Sequence, residues 1–185
     1  MRTQVVSTRL LNPEALLKDA LVLELGYQVG DFGCGGAGYF TIPAARMVGS
    51  KGKVYAVDVL QSALDGVLSK ARLEGLINVE TVWSDLEKPG ATNIPEGTLD
   101  RGLLINIMFQ SRQNQNILNE VKRLLKSGGK LLVVDWKVQP TLFGPPIANR
   151  MQPSMVEELA RKVGFKPESQ FEAGPYHYGF ILVKP

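Results

Sequence analysis

A glycine-rich stretch at 29–40, V-G-D-F-G-C-G-G-A-G-Y-F, constrains the fold of this chain more than any other feature. A short apolar run ends in an acid, a loop of glycines follows, and an amphipathic helical pattern begins after the loop. Gly33 and Gly35 allow positive φ values and a close backbone approach to a ligand that a Cβ would prevent. The following helix would present unpaired N–H groups there. The stretch therefore predicts the first strand, turn and helix of a nucleotide-binding sheet.

The acid at the end of this first strand, Asp31, indicates the kind of ligand. A loop that holds a pyrophosphate gains nothing from a carboxylate, whereas a ligand with an ammonium and a sulfonium is attracted by one. This favours S-adenosylmethionine. The glycines also fit G-x-G-x-x-G, the spacing of dinucleotide-binding loops, so an NAD-dependent oxidoreductase remains an alternative.

Acids also follow the next two predicted strands. Asp58 ends the apolar run 54–57, at a separation from Gly33 typical of the residue that accepts both ribose hydroxyls. A carboxylate has two oxygens in the geometry that a cis-diol requires. Asp85 comes just after the third predicted strand, 79–83. Three acids at neighbouring strand ends predict a site that surrounds a positively charged methyl donor.

The segment D-F-G-C-G-G-A-G-Y-F resembles the glycine-rich signature of the class I S-adenosylmethionine-dependent methyltransferases, although Ala37 precedes Gly38 where the family usually has G-x-G-x-G. The passage L-K-S-G-G-K-L-L-V-V-D-W, at 125–136, is also similar to the family. The resemblance implies that Asp85 holds the adenine amino group and that the backbone of Leu86 meets the ring. The predicted cofactor-binding residues are Asp31, Gly33, Cys34, Gly35, Gly38, Phe40, Asp58, Val59, Asp85, Leu86 and Asn106.

The end of the chain predicts a hairpin, with strands at 165–173 and 176–183 joined at Gly174-Pro175. A dinucleotide domain would continue in parallel units, whereas a reversed last strand beside the fifth is characteristic of the methyltransferase sheet. The predicted fold is α/β, a Rossmann-like, doubly wound sheet of seven strands in the order 3-2-1-4-5-7-6 with the last strand antiparallel. We expect one domain over 1–185, with a leading helical segment at 1–25 and a substrate-side loop at 137–152.

Four possible helix starts are visible in the sequence. Asn12 before Pro13 predicts a capped first helix. Ser111 predicts the cap of the fourth helix, and two Ser-x-x-acid patterns, at 62–65 and 154–157, predict capping boxes.

No catalytic residue is assigned, because in-line methyl transfer needs mainly alignment and exclusion of water. His177, the single histidine, is interpreted as structural or solvent-facing rather than as a general base. Cys34 is expected to pack near the cofactor as an unreactive thiol. The two tryptophans, Trp83 and Trp136, are expected in core and strand-end packing. Arg150 is expected as an exposed side chain without a specific role, with anchoring of an anionic substrate as the alternative.

Composition narrows the remaining possibilities. The net charge of +3 comes from scattered Lys and Arg, so a small-molecule acceptor is favoured over RNA or protein, which remain alternatives together with a non-catalytic nucleotide-binding module. The N-P-P-Y and D-P-P-Y tetrads of amide and adenine methyltransferases are missing. One cysteine, no signal-peptide pattern and no long apolar run favour a cytoplasmic protein without membrane or metal partners. The oligomeric state stays open.

Overall fold

The computed structural model describes residues 10–185 of the chain. The strands are β1 (Gln28–Phe32), β2 (Lys53–Asp58), β3 (Val79–Trp83), β4 (Leu99–Ile105), β5 (Leu125–Trp136), β6 (Lys166–Gly174) and β7 (His177–Val183). The helices are α1 (Pro13–Ala15), which continues as a π-helix over Leu16–Ala20, α2 (Thr41–Val48), α3 (Gln61–Leu73), α4 (Asn114–Leu124) and α5 (Pro153–Val163). Short 3₁₀ turns lie at Met108–Gln110 and Ile147–Asn149.

The strands form one seven-stranded sheet in the order β3-β2-β1-β4-β5-β7-β6. The pairs from β3 to β5 are parallel, and β7 runs antiparallel to both β5 and β6. The predicted topology is therefore confirmed. Because β1 pairs with β2 on one side and β4 on the other, the order of the strands reverses at β1, and in open α/β sheets ligands bind at such a point.

Both faces of the sheet are covered, which explains why the parallel strands are apolar without alternation. Val29 of β1 belongs to the core beneath the helical segment 13–20 and α2. Phe32, on the opposite face of the same strand, belongs to the core beneath α4 and α5. Strand β1 is thus packed on both of its faces.

Helix starts are where the sequence predictions were least accurate. Asn12 caps α1 as predicted, with its Oδ1 accepting the N–H of Ala15 at 3.2 Å. Ser62 and Ser154 lie inside α3 and α5, so both predicted capping boxes are wrong. Pro153 occupies the first helical position of α5 and leaves the preceding residue as the cap.

The remaining predicted cap, on α4, is also wrong. The cap position belongs to Gln113, and Ser111 lies before it and accepts the Gln113 N–H at 2.8 Å. Part of the predicted leading segment, 1–9, lies outside the described residues. No helix within 10–185 has the length and hydropathy required to cross a bilayer.

Helix α3 approaches the glycine-rich loop closely at Gly66. A Cβ built on Gly66 would lie 2.7 Å from the carbonyl oxygen of Gly36 and 3.3 Å from its Cα. The obstacle is backbone rather than a flexible side chain, so either the helix or the loop would have to move. Gly66 therefore helps to set the position of the loop relative to β2 and α3.

We predict that Gly66→Ala lowers the free energy of unfolding by about 1–2 kcal/mol. Overpacking against the Gly36 backbone costs about 1–3 kcal/mol. The higher helix propensity of Ala, about 1 kcal/mol, offsets only part of that cost. Urea denaturation measures the difference. Ser69→Ala, at an exposed position of the same helix, is the matched control and is expected to be neutral or slightly stabilising. A Gly66→Ala protein as stable as the control would show that the close approach is unimportant.

Candidate active site

The glycine-rich loop is attached to the end of β2 by its backbone. The N–H groups of Gly33 and Cys34 both donate to the carbonyl oxygen of Val57, at 2.7 and 3.1 Å. The next N–H, that of Gly35, donates to Oδ2 of Asp58 at 3.0 Å. Asp58, one of the three acids predicted from the sequence, therefore holds the loop in place and also borders the site.

Two glycines of the loop are required for different reasons. Gly33 has a φ of +76°, and a Cβ on it would lie 2.2 Å from Cδ1 of Ile107. Gly35 has a φ of +61°, but a Cβ there would meet no atom within 4 Å. Its open side faces a cavity, as expected for a position where a ligand approaches the backbone.

Two cavities lie at the carboxyl edge of the sheet, and Gly33 borders both. The first, here called the Asp31 cavity, has a volume of about 380 Å³. The second, the Asp58 cavity, has a volume of about 460 Å³ and also contains Asp85 in its wall. The three strand-end acids are therefore divided between adjacent cavities and do not surround a single one.

Asp31 is almost fully buried at the end of β1, with 3% of its surface exposed. Thr41, in the first turn of α2, donates its hydroxyl to Asp31 Oδ2 at 2.6 Å. Burial, opposed by this hydrogen bond and assisted by the nearby charge of Asp58, raises the pKa of Asp31 to about 6. A cation placed in this cavity would favour the ionised carboxylate.

The Asp58 cavity contains the other two predicted acids. Asp58 Oδ1 accepts the N–H of Leu60 at 2.9 Å, which leaves each oxygen able to accept a further bond. Asp85 Oδ1 accepts the N–H of Glu87 at 3.1 Å, and its other oxygen lies 3.3 Å from Lys88 Nζ. Val59 and Leu86, both predicted cofactor contacts, also border this cavity.

Asn106 follows β4 at the junction with the 3₁₀ turn and borders the Asp31 cavity. It has a φ of +58°, a conformation uncommon for residues other than glycine. Its Oδ1 is buried and has no hydrogen-bond partner in the part of the chain that the structure describes. A strained residue with an unsatisfied acceptor in a cavity wall is typical of a ligand-binding position.

The other predicted contacts are placed as follows. Cys34 and Phe40 border the Asp31 cavity. Burial and the charges of Asp31 and Asp58 raise the pKa of the Cys34 thiol, so it stays protonated, as expected for an unreactive cysteine. Gly38 borders neither cavity; with a φ of +57° it forms the turn into α2.

Arg150 was expected to be exposed, and this prediction is wrong. The side chain is 7% exposed and lies within the loop 137–152. Its guanidinium donates to the carbonyl oxygens of Lys137, Gln139, Phe143 and Pro145 and to the hydroxyl of Thr141, at 2.6 to 3.3 Å. Arg150 therefore holds the loop together, because a planar group with five donors can satisfy several loop carbonyls at once.

The two tryptophans have different environments. Trp136, at the end of β5, is buried as predicted and borders the Asp31 cavity. Trp83 is 58% exposed, and its indole N–H donates to the carbonyl of Val59, so core packing is wrong for Trp83. Phe143 from the loop packs edge-on against Trp136 at a centroid distance of 6.1 Å. The loop thus fixes one wall of the cavity.

His177 begins β7, directly opposite Trp136 in the antiparallel pair. It is fully buried, which excludes the solvent-facing interpretation, and it borders the Asp31 cavity. Burial, with smaller contributions from Lys137 and Arg150, lowers its pKa to about 4. The sequence did not assign His177 or Trp136 to the site, because pairing of β5 with β7 brings them together across forty residues of intervening chain.

Comparisons with known proteins identify the family of the chain. A methyltransferase domain family matches residues 23–174. A ubiquinone/menaquinone biosynthesis C-methyltransferase, UbiE, of Escherichia fergusonii is 38% identical over 106 residues, covering 55% of this chain and 40% of the relative. The chain thus spans less than half the length of that curated relative.

Solved structures resemble the whole described fold. A SAM-dependent methyltransferase from Aquifex aeolicus superposes with a TM-score of 0.87 at 29% identity, covering 96% of this chain and 92% of that one. A putative type 11 methyltransferase from Sulfolobus solfataricus gives 0.75 at 28% identity, with 95% and 94% covered. The chain therefore belongs to the methyltransferase domain family, and the predicted resemblance to class I S-adenosylmethionine-dependent methyltransferases is confirmed.

Proposed function

We propose that this chain transfers a methyl group from S-adenosylmethionine to an uncharged small molecule. The observation that carries the proposal is the arrangement around Gly33, where a cavity with exposed acceptor groups for a nucleoside adjoins an apolar cavity that contains a buried acid. A cofactor with a nucleoside at one end and a cationic amino-acid part at the other fits this pair of cavities. We propose a single domain with the loop 137–152 on the acceptor side.

The Asp58 cavity has the groups that an adenosine requires. Both carboxylate oxygens of Asp58 retain a free acceptor position, as the two ribose hydroxyls need. Asp85 and the backbone of Leu86 border the same cavity and would meet the adenine. Gly35 leaves room for the sugar at the loop.

The Asp31 cavity has the groups that the amino-acid part requires. The unpartnered Oδ1 of Asn106 would accept a hydrogen bond from the ammonium group. Asp31 would stabilise the same positive end through its charge, at short range in a site from which water is largely excluded. A cationic ligand would thus explain why Asp31 lies beside the glycine-rich loop, where a pyrophosphate site would lack an acid.

The chemistry requires little more than alignment. S-adenosylmethionine supplies a methyl group that its sulfonium already activates. The chain would hold the acceptor in line with that group and keep water out, effects that together supply a large share of rate acceleration.

The acceptor is inferred from the remaining walls of the Asp31 cavity. Its apolar side chains are Leu10, Leu11, Ala37, Phe40, Ile105 and Trp136, and Tyr39 also borders it. Two described cations act on His177 in this wall, and both are engaged elsewhere: Arg150 by loop carbonyls and Lys137 by Glu172. Asp31 is the one charged side chain among the described residues that border this cavity. An anionic acceptor would find no counter-charge among these described residues, which supports an uncharged molecule.

Two alternatives have less support. An RNA or protein acceptor would require a cationic or extended surface, whereas the described walls form a small apolar cavity. An NAD-dependent oxidoreductase would not require a buried acid next to its phosphate loop, nor the reversed β7. The similarity to a C-methyltransferase that acts in quinone biosynthesis agrees with an apolar acceptor.

We predict that S-adenosylhomocysteine binds to the protein and that NADH does not, as measured by isothermal titration calorimetry. Asp58→Asn should weaken the binding of S-adenosylhomocysteine roughly 10- to 100-fold, since hydrogen bonds to a charged group contribute about 1.5–3 kcal/mol. The matched control is Glu168→Gln, which removes a charge paired with Lys130 on β5. Binding of NADH without a response to S-adenosylhomocysteine would refute the proposal.

We predict that the affinity for S-adenosylmethionine increases as the pH rises from about 5 to 7. In the free protein Asp31 is largely protonated below its pKa of about 6, so a cation that requires the carboxylate binds more weakly there. Asp31→Asn should weaken binding at pH 7 and abolish this dependence. Asp135, a buried carboxyl outside both cavities, also has a pKa of about 6. A pH dependence that persists in Asp31→Asn would assign it to Asp135 or another group.

A further inference from the structure

The imidazole of His177 is buried, and neither of its nitrogens forms a hydrogen bond with a described residue. Its exposed fraction is 0%, and neither Nδ1 nor Nε2 has a hydrogen-bond partner within residues 10–185. Buried polar groups are nearly always hydrogen-bonded, because leaving one unpaired costs free energy. Packing alone does not explain a histidine here, since an apolar ring would fill the same space without that cost.

The position of the ring indicates where a partner would come from. His177 borders the Asp31 cavity, and its ring lies 4.2 Å, centroid to centroid, from that of Trp136 in the same wall. Asp31, the acid of this cavity, accepts a hydrogen bond from Thr41 and makes none with His177. A molecule bound in the cavity is therefore a candidate partner for the imidazole.

The ring is neutral over the physiological pH range. Burial lowers the pKa of the imidazole, and the charges of Lys137 and Arg150 in the loop 137–152 also oppose protonation. A neutral imidazole has one N–H donor and one nitrogen that accepts. It can therefore bind a hydroxyl group, but it offers no charge to an anion and functions poorly as a proton acceptor.

We propose that His177 binds the methyl acceptor, through a hydrogen bond between its neutral imidazole and a hydroxyl group on a flat, otherwise apolar molecule. This inference rests on the proposed function and extends it to the acceptor. Trp136, whose ring lies beside that of His177, contributes apolar surface to the same wall, and the single hydrogen bond would fix the rotation of the acceptor within the cavity. His177 thus selects acceptors by a polar group and orients them toward the methyl donor.

The single histidine allows a direct test by NMR, because the imidazole ¹⁵N resonances need no assignment. The protein is first saturated with S-adenosylhomocysteine and then titrated with three probes of similar shape: 2-naphthol, naphthalene and 2-naphthoate. We expect 2-naphthol to bind and to shift the resonance of an imidazole nitrogen. Naphthalene should bind more weakly without that shift, and the 2-naphthoate anion should bind least.

Two variants separate the hydrogen bond from ring packing. His177→Phe keeps an aromatic ring against Trp136, and we expect it to weaken the binding of 2-naphthol roughly tenfold while the affinity for S-adenosylhomocysteine changes less than about twofold. His177→Gln, which restores a donor and an acceptor, should recover part of the loss. Melting temperatures establish that each variant is folded, and the wild-type titration decides the question if either is not.

Several outcomes would overturn the proposal. These are the absence of 2-naphthol binding, binding without an imidazole shift, or equal affinity in His177→Phe. Each of them is distinct from failure of the proposed function, which would appear earlier as the absence of S-adenosylhomocysteine binding.

Discussion

The attachment of the glycine-rich loop to the end of β2 is the interaction on which the rest of the site depends. Val57 accepts two consecutive N–H groups of the loop, and the carboxylate of Asp58 accepts a third. These bonds hold Gly33 between the two cavities. Asp58, the residue proposed to bind the ribose, is itself bonded to the loop backbone at Gly35. The binding of a ligand at Asp58 and the conformation of the loop are therefore coupled.

Charge and desolvation complete the site. Burial disfavours ionisation of Asp31, and the nearby charge of Asp58 adds to this effect. Such an arrangement is costly in the free protein, because a buried carboxylate without a cation is poorly solvated. A ligand with a positive end would relieve that cost, which is why the acid is better explained by binding than by folding. Fold alone would not justify the conclusion, since one scaffold hosts many chemistries.

Much of the architecture was predictable because it is local in the sequence. Short apolar runs, glycine turns and strand-end acids indicated the place of β1 and the bounds of β3, and the final hairpin indicated the reversed strand. The helix starts were less predictable, because a Ser-x-x-acid pattern does not reveal competing determinants such as Pro153. Asp31, Asp58 and Asp85 were found as candidates, but their division between two cavities that meet at Gly33 is a feature of the tertiary structure.

The acceptor side was largely hidden from the sequence, because its contacts join distant segments. Arg150 is buried by carbonyls of its own loop, whose conformation has no periodic signal. The same limit applies away from the acceptor side. Glu120 of α4 accepts the N–H groups of Gly90 and Thr92, and the helical pattern of the sequence does not indicate these contacts. His177 and Trp136 become neighbours through antiparallel pairing alone.

A crystal structure with bound S-adenosylhomocysteine tests the central claim most directly. We expect the ribose hydroxyls at the carboxylate of Asp58, the adenine beside Leu86, and the amino group in the Asp31 cavity near Asn106. A ligand bound in the reverse direction, or outside these two cavities, would contradict the assignment of the site.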